Sequence, residues 1–334
     1  MSKHLINAGR DRPLLDIATY ARKGPGERTY LSPAEVEQIT LTIRRAPEVM
    51  VKVLTRGGQD LGAVRRHFAY LNRQGELEVK TDDGQRLSGQ SVQNELVEDW
   101  DLDLEEHRRT LDLEPRSRRP PPKLIHKLLF SMPPGTSPQK VLAAVRDFAR
   151  EEFELKHRYA IVLHTDEPHP HVHMVVKAMS ERGVRLHIRK ATLRDWRREF
   201  ARHLRRQGVA ANATERAVRG QSRSAKSDPI YRAACRGHST HMRDRVERVA
   251  REIREGALAT DHGKERLLRT RAEVTNGWRA VSDMLVNTGR PELASQVSQF
   301  VGEMPPPRSE RDWLAHSLLS QMRSVRLSEG RMDR

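Results

Sequence analysis

One cysteine, Cys235, stands in 334 residues. An internal disulfide and a cysteine-built zinc cluster are therefore excluded, and histidine and carboxylate remain as the available metal ligands. Aromatic residues make up only 4% of the chain, too few for extensive stacking of nucleic-acid bases. No run of about 18 apolar residues occurs, and the opening MSKHLINAGRDRPLL lacks the apolar core of a signal peptide, so no membrane insertion is expected and the expected location is the cytoplasm. No G-x4-G-K-[ST] phosphate loop occurs, so no P-loop helicase is built into the sequence. Acidic residues are outnumbered by basic ones, 45 against 61, for a net charge of +16. Such a surface suits a polyanion, with nucleic acid as the leading partner, although a merely soluble arginine-rich protein would carry the same charge.

What is present divides into blocks. Residues 1–47 read as an N-terminal extension in which Ser32-Pro33-Ala34-Glu35 is a capping box opening a short helix. EVMVKVLT (48–55) reads as a strand, and a helix runs from about Leu61 to Gln74, where Gly75 stops it. A short strand ELEVK, a charged stretch over 98–119 and the linker RSRRPPP follow. KLIHKLLFS (123–131) is a strand, and Ser137 and Pro138 open a helix that reaches about Glu154. YAIVLHT (159–165) and HVHMVVKAM (171–179) then read as an antiparallel hairpin. GVRLHIRK looks like a second hairpin element, and Thr192–Gln207 like an amphipathic helix with a stripe of Leu193, Trp196, Phe200 and Leu204. Beyond a basic linker the pattern is helical only, with breaks at Gly289-Arg290-Pro291 and Pro305-Pro306-Pro307. The expected blocks are 1–47, an α/β domain over 48–225 and helices over 226–334.

HTDEPHPHVHMVV (164–176) holds four of the chain's 15 histidines within ten residues. Along a strand, alternate residues face the same way, so His171 and His173 share a face while Val172, Met174 and Val176 take the other. In an antiparallel hairpin His164 lies opposite His171, and facing side chains have Cβ atoms about 5 Å apart. Three neutral nitrogen donors then converge on one point with coordination positions left open. His169 sits in the loop, and Asp166 can orient an imidazole or reach a metal through water. A His-rich tract that binds metal adventitiously is the bland alternative. The pattern lacks the H-x-H-x-D-H of one hydrolase type and the cysteines of the deaminases, so a cation polarising a phosphodiester oxygen fits the basic chain better.

Five tyrosines are present. Tyr70 lies off the stripe formed by Leu61, Val64, Phe68 and Leu71, which periodicity alone makes an ordinary exposed aromatic. Tyr30 is a second candidate nucleophile.

FAYLNRQGELEV, KLLFSMPPGT and HTDEPHPHVHMVV, in that order and roughly at these distances, resemble the three motifs of the tyrosine relaxases of plasmid mobilisation and T-DNA processing, which are HUH endonucleases. The resemblance covers roughly residues 48–220. It implies that Tyr70 attacks a phosphodiester of single-stranded DNA at an origin of transfer, that Ser131 contacts DNA near the nick, and that His164, His171 and His173 hold a divalent cation, Mg²⁺ or Mn²⁺. Asp166 and His169 are the candidates for taking the tyrosine proton. Arg185, Arg189, Lys190, Arg194, Arg197 and Arg198 follow the hairpin as a basic run suited to tracking phosphates; a solvated helix face is the alternative.

The fold expected is α/β, an antiparallel sheet carrying the histidines with helices on its other side, followed by a smaller all-α domain. Relaxosome accessory proteins and a type IV secretion coupling protein are the further partners implied, with export attached to DNA left open. A rolling-circle replication initiator and a non-catalytic origin-binding accessory protein are the alternatives.

Overall fold

A computed structural model describes residues 31–54, 58–112, 121–222, 233, 236–256 and 262–332. Tyr30 and most of the linkers around 113–120 and 223–232 lie outside them. The chain forms two compact units, one of residues 44–213 and one that joins residues up to 43 with those from 214 onward.

The first unit is built on a six-stranded, wholly antiparallel sheet in the order β1 (Met50–Leu54), β4 (Ile125–Ser131), β6 (His171–Lys177), β5 (Tyr159–His164), β2 (Val79–Thr81) and β3 (Arg86–Leu87). Strand alternation divides the side chains between two cores. Val51, Leu128, Phe130, Ile161, Val172, Met174 and Val176 pack on one face, under α5 (Pro138–Phe153) and α6 (Lys190–Arg206). Helix α5 starts where Ser137 and Pro138 open it, and its Val141, Ala144, Val145, Phe148 and Ala149 recur at the spacing of one helical face. Helix α6 buries Trp196, Phe200, Ala201 and Leu204 as its stripe predicts, and Phe200 meets Phe130 edge-on at 5.2 Å between ring centroids.

The opposite face carries Ile125, Ala160, Val162 and Val175 under α2 (Leu61–Leu71) and α3 (Val92–Asp99). Helices therefore cover both faces, whereas the sequence places them away from the histidines. Helix α2 is the reason: Val64, Phe68 and Leu71 bury against the strands beside the histidines and leave its last turn overhanging them.

The charged stretch around 98–119 contains the end of α3 and α4 (Leu102–Asp112). Trp100 and Leu102 in it are fully buried, as is Val97 just before it, whereas Leu104 is half exposed, and the surrounding charge conceals the periodicity. GVRLHIRK folds back antiparallel on the end of β6 as a short hairpin-like element: Ser180 N–H donates to Val184 O at 2.9 Å, Leu186 N–H to Ala178 O at 2.8 Å, and Met179 bridges Arg185.

The second unit packs α1 (Pro33–Ile43), α7 (Thr240–Glu255), α8 (His262–Asn287), α9 (Pro291–Gly302) and α10 (Glu310–Met332). Ser32 caps α1 as the sequence predicts: its hydroxyl accepts from Glu35 N–H at 3.3 Å, and the Glu35 carboxylate accepts from Ser32 N–H at 2.8 Å. Ile39 of α1 is fully buried with Val218, Trp278, Val281 and Leu285. That burial moves the expected boundaries from 47/48 and 225/226 to 43/44 and 213/214. Among the described residues no helix is long and apolar enough to cross a membrane.

Candidate active site

The hairpin of β5 and β6 sets His164 directly opposite His171, with His173 one step further along the same face. The ring centroids lie 5.3 Å (His164 to His171), 4.6 Å (His164 to His173) and 5.4 Å (His171 to His173) apart. Each residue offers a ligand atom, and these atoms all lie within 4.8 Å of one another. Hydrogen bonds to backbone carbonyls fix two of the tautomers. His164 Nε2 lies 2.8 Å from Leu71 O and His171 Nδ1 lies 3.0 Å from His169 O. A carbonyl oxygen only accepts, so those nitrogens carry the protons, and the lone pairs are left on His164 Nδ1 and His171 Nε2. His173 Nδ1 is buried with no hydrogen-bond partner among the described residues.

Burial lowers the pKa of His164, and it pushes His173 down to about 3, with the neighbouring imidazoles adding to the effect. Neutral imidazole is the ligating form. Converging lone pairs, fixed tautomers and an orphaned buried nitrogen together fit a cation.

Over this triad hangs the end of α2. The Asp60 carboxylate accepts from Ala63 N–H at 2.7 Å and that of Glu106 from Leu61 N–H at 2.8 Å, so the helix start is held at two of its free donors. Tyr70, one residue off the buried stripe, is 50% exposed. Its ring centroid lies 6.0 Å from that of His173 and 6.2 Å from that of His164.

After Leu71 the chain turns through three successive left-handed residues, Arg73 (φ 51°), Gln74 (φ 56°) and Gly75 (φ 109°). Such conformations cost a residue other than glycine about 1–3 kcal/mol each. Asn72 holds the turn: its carbonyl accepts from Gly75 and Leu77 N–H at 3.1 and 2.8 Å, and its Nδ2 donates to Gly89 O at 2.9 Å. At Gly75 a Cβ would stand 2.8 Å from Gly89 C, so only glycine fits. The turn lays the Arg73 guanidinium 5.1 Å from the Tyr70 ring centroid, with Nη2 3.3 Å from His164 Nδ1. The same nitrogen donates to Asp166 in a short ion pair. Slight desolvation raises the Asp166 pKa, yet backbone hydrogen bonding and the Arg73 charge hold it below the usual carboxylate range.

Three groups here escape sequence reasoning. Arg73 is one. His67 is another: its ring stacks on Tyr70 at 6.1 Å and 17°, and its pKa is pushed down to about 3 by burial, then by Lys127 and His164. The third, Lys127, is buried on the histidine face two strand steps from Ser131. The signals were the i, i+3 spacing of His67 and Tyr70 and the alternation in KLIHKLLFS.

The remaining expected residues are placed as follows. Ser131 is buried on the histidine-bearing face, opposite His171 on one side and Met50 on the other. His169 is exposed in the loop, and its backbone carbonyl holds His171. Arg185 donates to Lys123 O at 2.8 Å and pairs with Glu105 at 3.5 Å, so it ties α4 to β4. Arg189, Lys190, Arg194 and Arg197 are exposed, and Arg198 pairs with Asp195 at 2.7 Å. These last five start or ride α6, which packs on the sheet face opposite the histidines, so the structure does not gather them around the triad. The basic side chains on or over the histidine face include Lys52, opposite Leu129 in register, Arg73 and Lys127, with Lys177 at the far end of β6 paired with Glu181 at 3.2 Å.

Residues 70–209 match the family described as Relaxase: MobA/VirD2-like, nuclease domain. The chain is similar to the T-DNA border endonuclease VirD2 of Rhizobium rhizogenes, 28% identical over 221 residues, which cover 62% of this chain and 47% of that protein. It is likewise similar to the VirD2 of Agrobacterium fabrum (strain C58), 27% identical over 187 residues, covering 52% of this chain and 41% of the relative. The chain thus spans less than half the length of these curated relatives. A solved relaxase domain of MobM, described as bound to plasmid pMV158 oriT DNA in a Mn-bound crystal structure, is 14% identical and covers 56% of this chain and 98% of its own, with a TM-score of 0.37.

Proposed function

We propose that this protein, whose residues 70–209 match the relaxase nuclease domain family of the MobA/VirD2-like type, nicks and rejoins one DNA strand at an origin of transfer, with Tyr70 as nucleophile. The observation that carries the reading is the half-exposed Tyr70 ring standing 6.0–6.2 Å from two of three convergent imidazoles.

In the proposed reaction the Tyr70 Oη attacks the scissile phosphorus. A tyrosine–phosphate bond forms, the bond to the 3′ oxygen breaks, the tyrosine proton is lost and the departing 3′ oxygen gains one. The product is a 5′-phosphotyrosine and a free 3′-hydroxyl, and the reverse attack reseals the strand without ATP. His164, His171 and His173 would hold a divalent cation, Mg²⁺ or Mn²⁺, which when bound supplies positive charge to the non-bridging phosphate oxygens. Asp166, held charged by Arg73, is a weak base and acts in positioning; His169, exposed in the adjoining loop, is the candidate left for the proton. The resemblance assigns Ser131 to DNA contact near the nick; the residue lies on the same face but is buried, so it would act from beneath the strand's path. The exposed Arg189, Lys190, Arg194 and Arg197 would track strand beyond the catalytic face. Accessory proteins of the relaxosome and a type IV secretion coupling protein are the partners proposed with this activity.

The test is a set of labelled single-stranded oligonucleotides tiled across the DNA flanking the gene, incubated with protein and Mn²⁺ or Mg²⁺ and run on a denaturing gel. A protein-linked band that EDTA abolishes and Tyr70→Phe lacks is expected. A band that survives in Tyr70→Phe removes Tyr70 from the role. DNA that is bound without any adduct favours a non-catalytic origin-binding protein.

A further inference from the structure

Resting on that reading of the site, we propose that Arg73 binds the phosphate attacked by Tyr70 and that Asp166 is its internal placeholder, an anion that occupies the guanidinium until DNA displaces it.

The guanidinium stands 5.1 Å from the Tyr70 ring centroid and within 3.3 Å of His164 Nδ1, so it borders both the nucleophile and the cluster of imidazole lone pairs. A phosphate reached by Tyr70 must enter that same space. The left-handed backbone of Arg73 at φ 51°, inside the turn that Asn72 and Gly75 build, places the root of the side chain beside the site, and Asp166 and His164 hold its guanidinium end. The two partners differ in exposure: the Asp166 side chain is 53% accessible and that of Arg73 31%. The carboxylate is the outer group, on the exposed loop between β5 and β6 and open to exchange.

A carboxylate and a phosphodiester present the same pair of acceptor oxygens to the planar guanidinium fork, and arginine stays charged at any working pH. An exposed ion pair contributes little in water, so giving it up for a phosphate costs little. Lys52 and Lys127 on the same sheet face add positive charge that favours the incoming strand over the small loop carboxylate. Asp166 thereby keeps a free arginine from pairing with unrelated anions and fixes the guanidinium beside the tyrosine between turnovers.

The test is a double-substitution cycle read as binding, with the full chain, a fluorescein-labelled 30-nucleotide single strand as probe, anisotropy as the signal, EDTA throughout and several salt concentrations. Asp166→Ala is expected to tighten binding by about two- to fivefold, the scale of releasing one exposed ion pair. Arg73→Gln is expected to weaken it and to lower the salt slope by about one. In the Arg73→Gln background the gain from Asp166→Ala is expected to vanish. Circular dichroism spectra that match the wild type show that each variant is folded. An unchanged affinity for Asp166→Ala overturns the proposal, and so does an equal gain in both backgrounds, which would reduce Asp166 to general repulsion of the strand. A wild-type chain that does not bind the strand overturns both this proposal and the nicking reading. A coupled cycle in a protein that forms no adduct supports the placeholder and sinks the nicking reading alone, because EDTA separates binding from chemistry.

Discussion

At the scale of single residues, burial holds His67, His164 and His173 toward the neutral form. The histidine triad was legible in the sequence because its geometry is local: a two-residue alternation and one hairpin bring its members together. His67 and Lys127 were not, because their part in the site depends on which sheet face α2 covers, and no local pattern encodes that choice. Their burial has a consequence for stability. His67 and His173 are held to about 3 and His126 to about 4, each mainly by desolvation. In the unfolded chain each titrates near 6.5. Between about pH 6.5 and pH 3–4 the unfolded state therefore binds more protons, so the folded state is fully favoured above that window and loses stability as pH falls through it. Thermal unfolding in EDTA at about pH 7.5 and about pH 5.5 is expected to show a lower Tm at the acid pH, on the order of 1 kcal/mol per histidine. A Tm that holds or rises contradicts it.

At the scale of elements, α2 and the turn after it aim the chemistry. Sequence periodicity finds the helix and places Tyr70 off its buried stripe, and Gly75 is legible as its stop. What periodicity cannot show is that the stop is three left-handed residues long and lays Arg73 back over the tyrosine, because that depends on the distant carbonyl of Gly89. Helices α3 and α4 escaped for a related reason: a handful of buried apolar positions is enough when a core already waits for them, yet too few to stand out among charges. Gly75→Ala is expected to destabilise the unit of residues 44–213 by about 1–3 kcal/mol in urea denaturation. It should lower adduct yield further than the stability loss alone explains, since the turn that carries Arg73 must shift to admit the methyl group. Unchanged stability would show that the turn relaxes freely and does not hold Arg73.

At the scale of the whole molecule, sequence order and spatial order part company. The segment before the first strand reads as a separate N-terminal extension, but α1 belongs to the helical unit because Ile39 completes a core made by residues some 180 or more positions later. The long-range burial of one apolar side chain decides this, and the capping box that marks the helix says nothing about its partner. Likewise the basic run on α6 follows the histidines closely in sequence and lies across the sheet from them, since Trp196, Phe200 and Leu204 must reach the opposite core.

The proposed role of Tyr70 is to become covalently joined to DNA, and mass spectrometry of the trapped adduct tests it most directly. After digestion with nuclease and trypsin, the predicted result is a nucleotide-sized mass on the peptide His67–Arg73, HFAYLNR, present with Mn²⁺ or Mg²⁺ and absent with EDTA. A modified tyrosine elsewhere in the chain, or an unmodified His67–Arg73 in a protein that has nicked DNA, would contradict it.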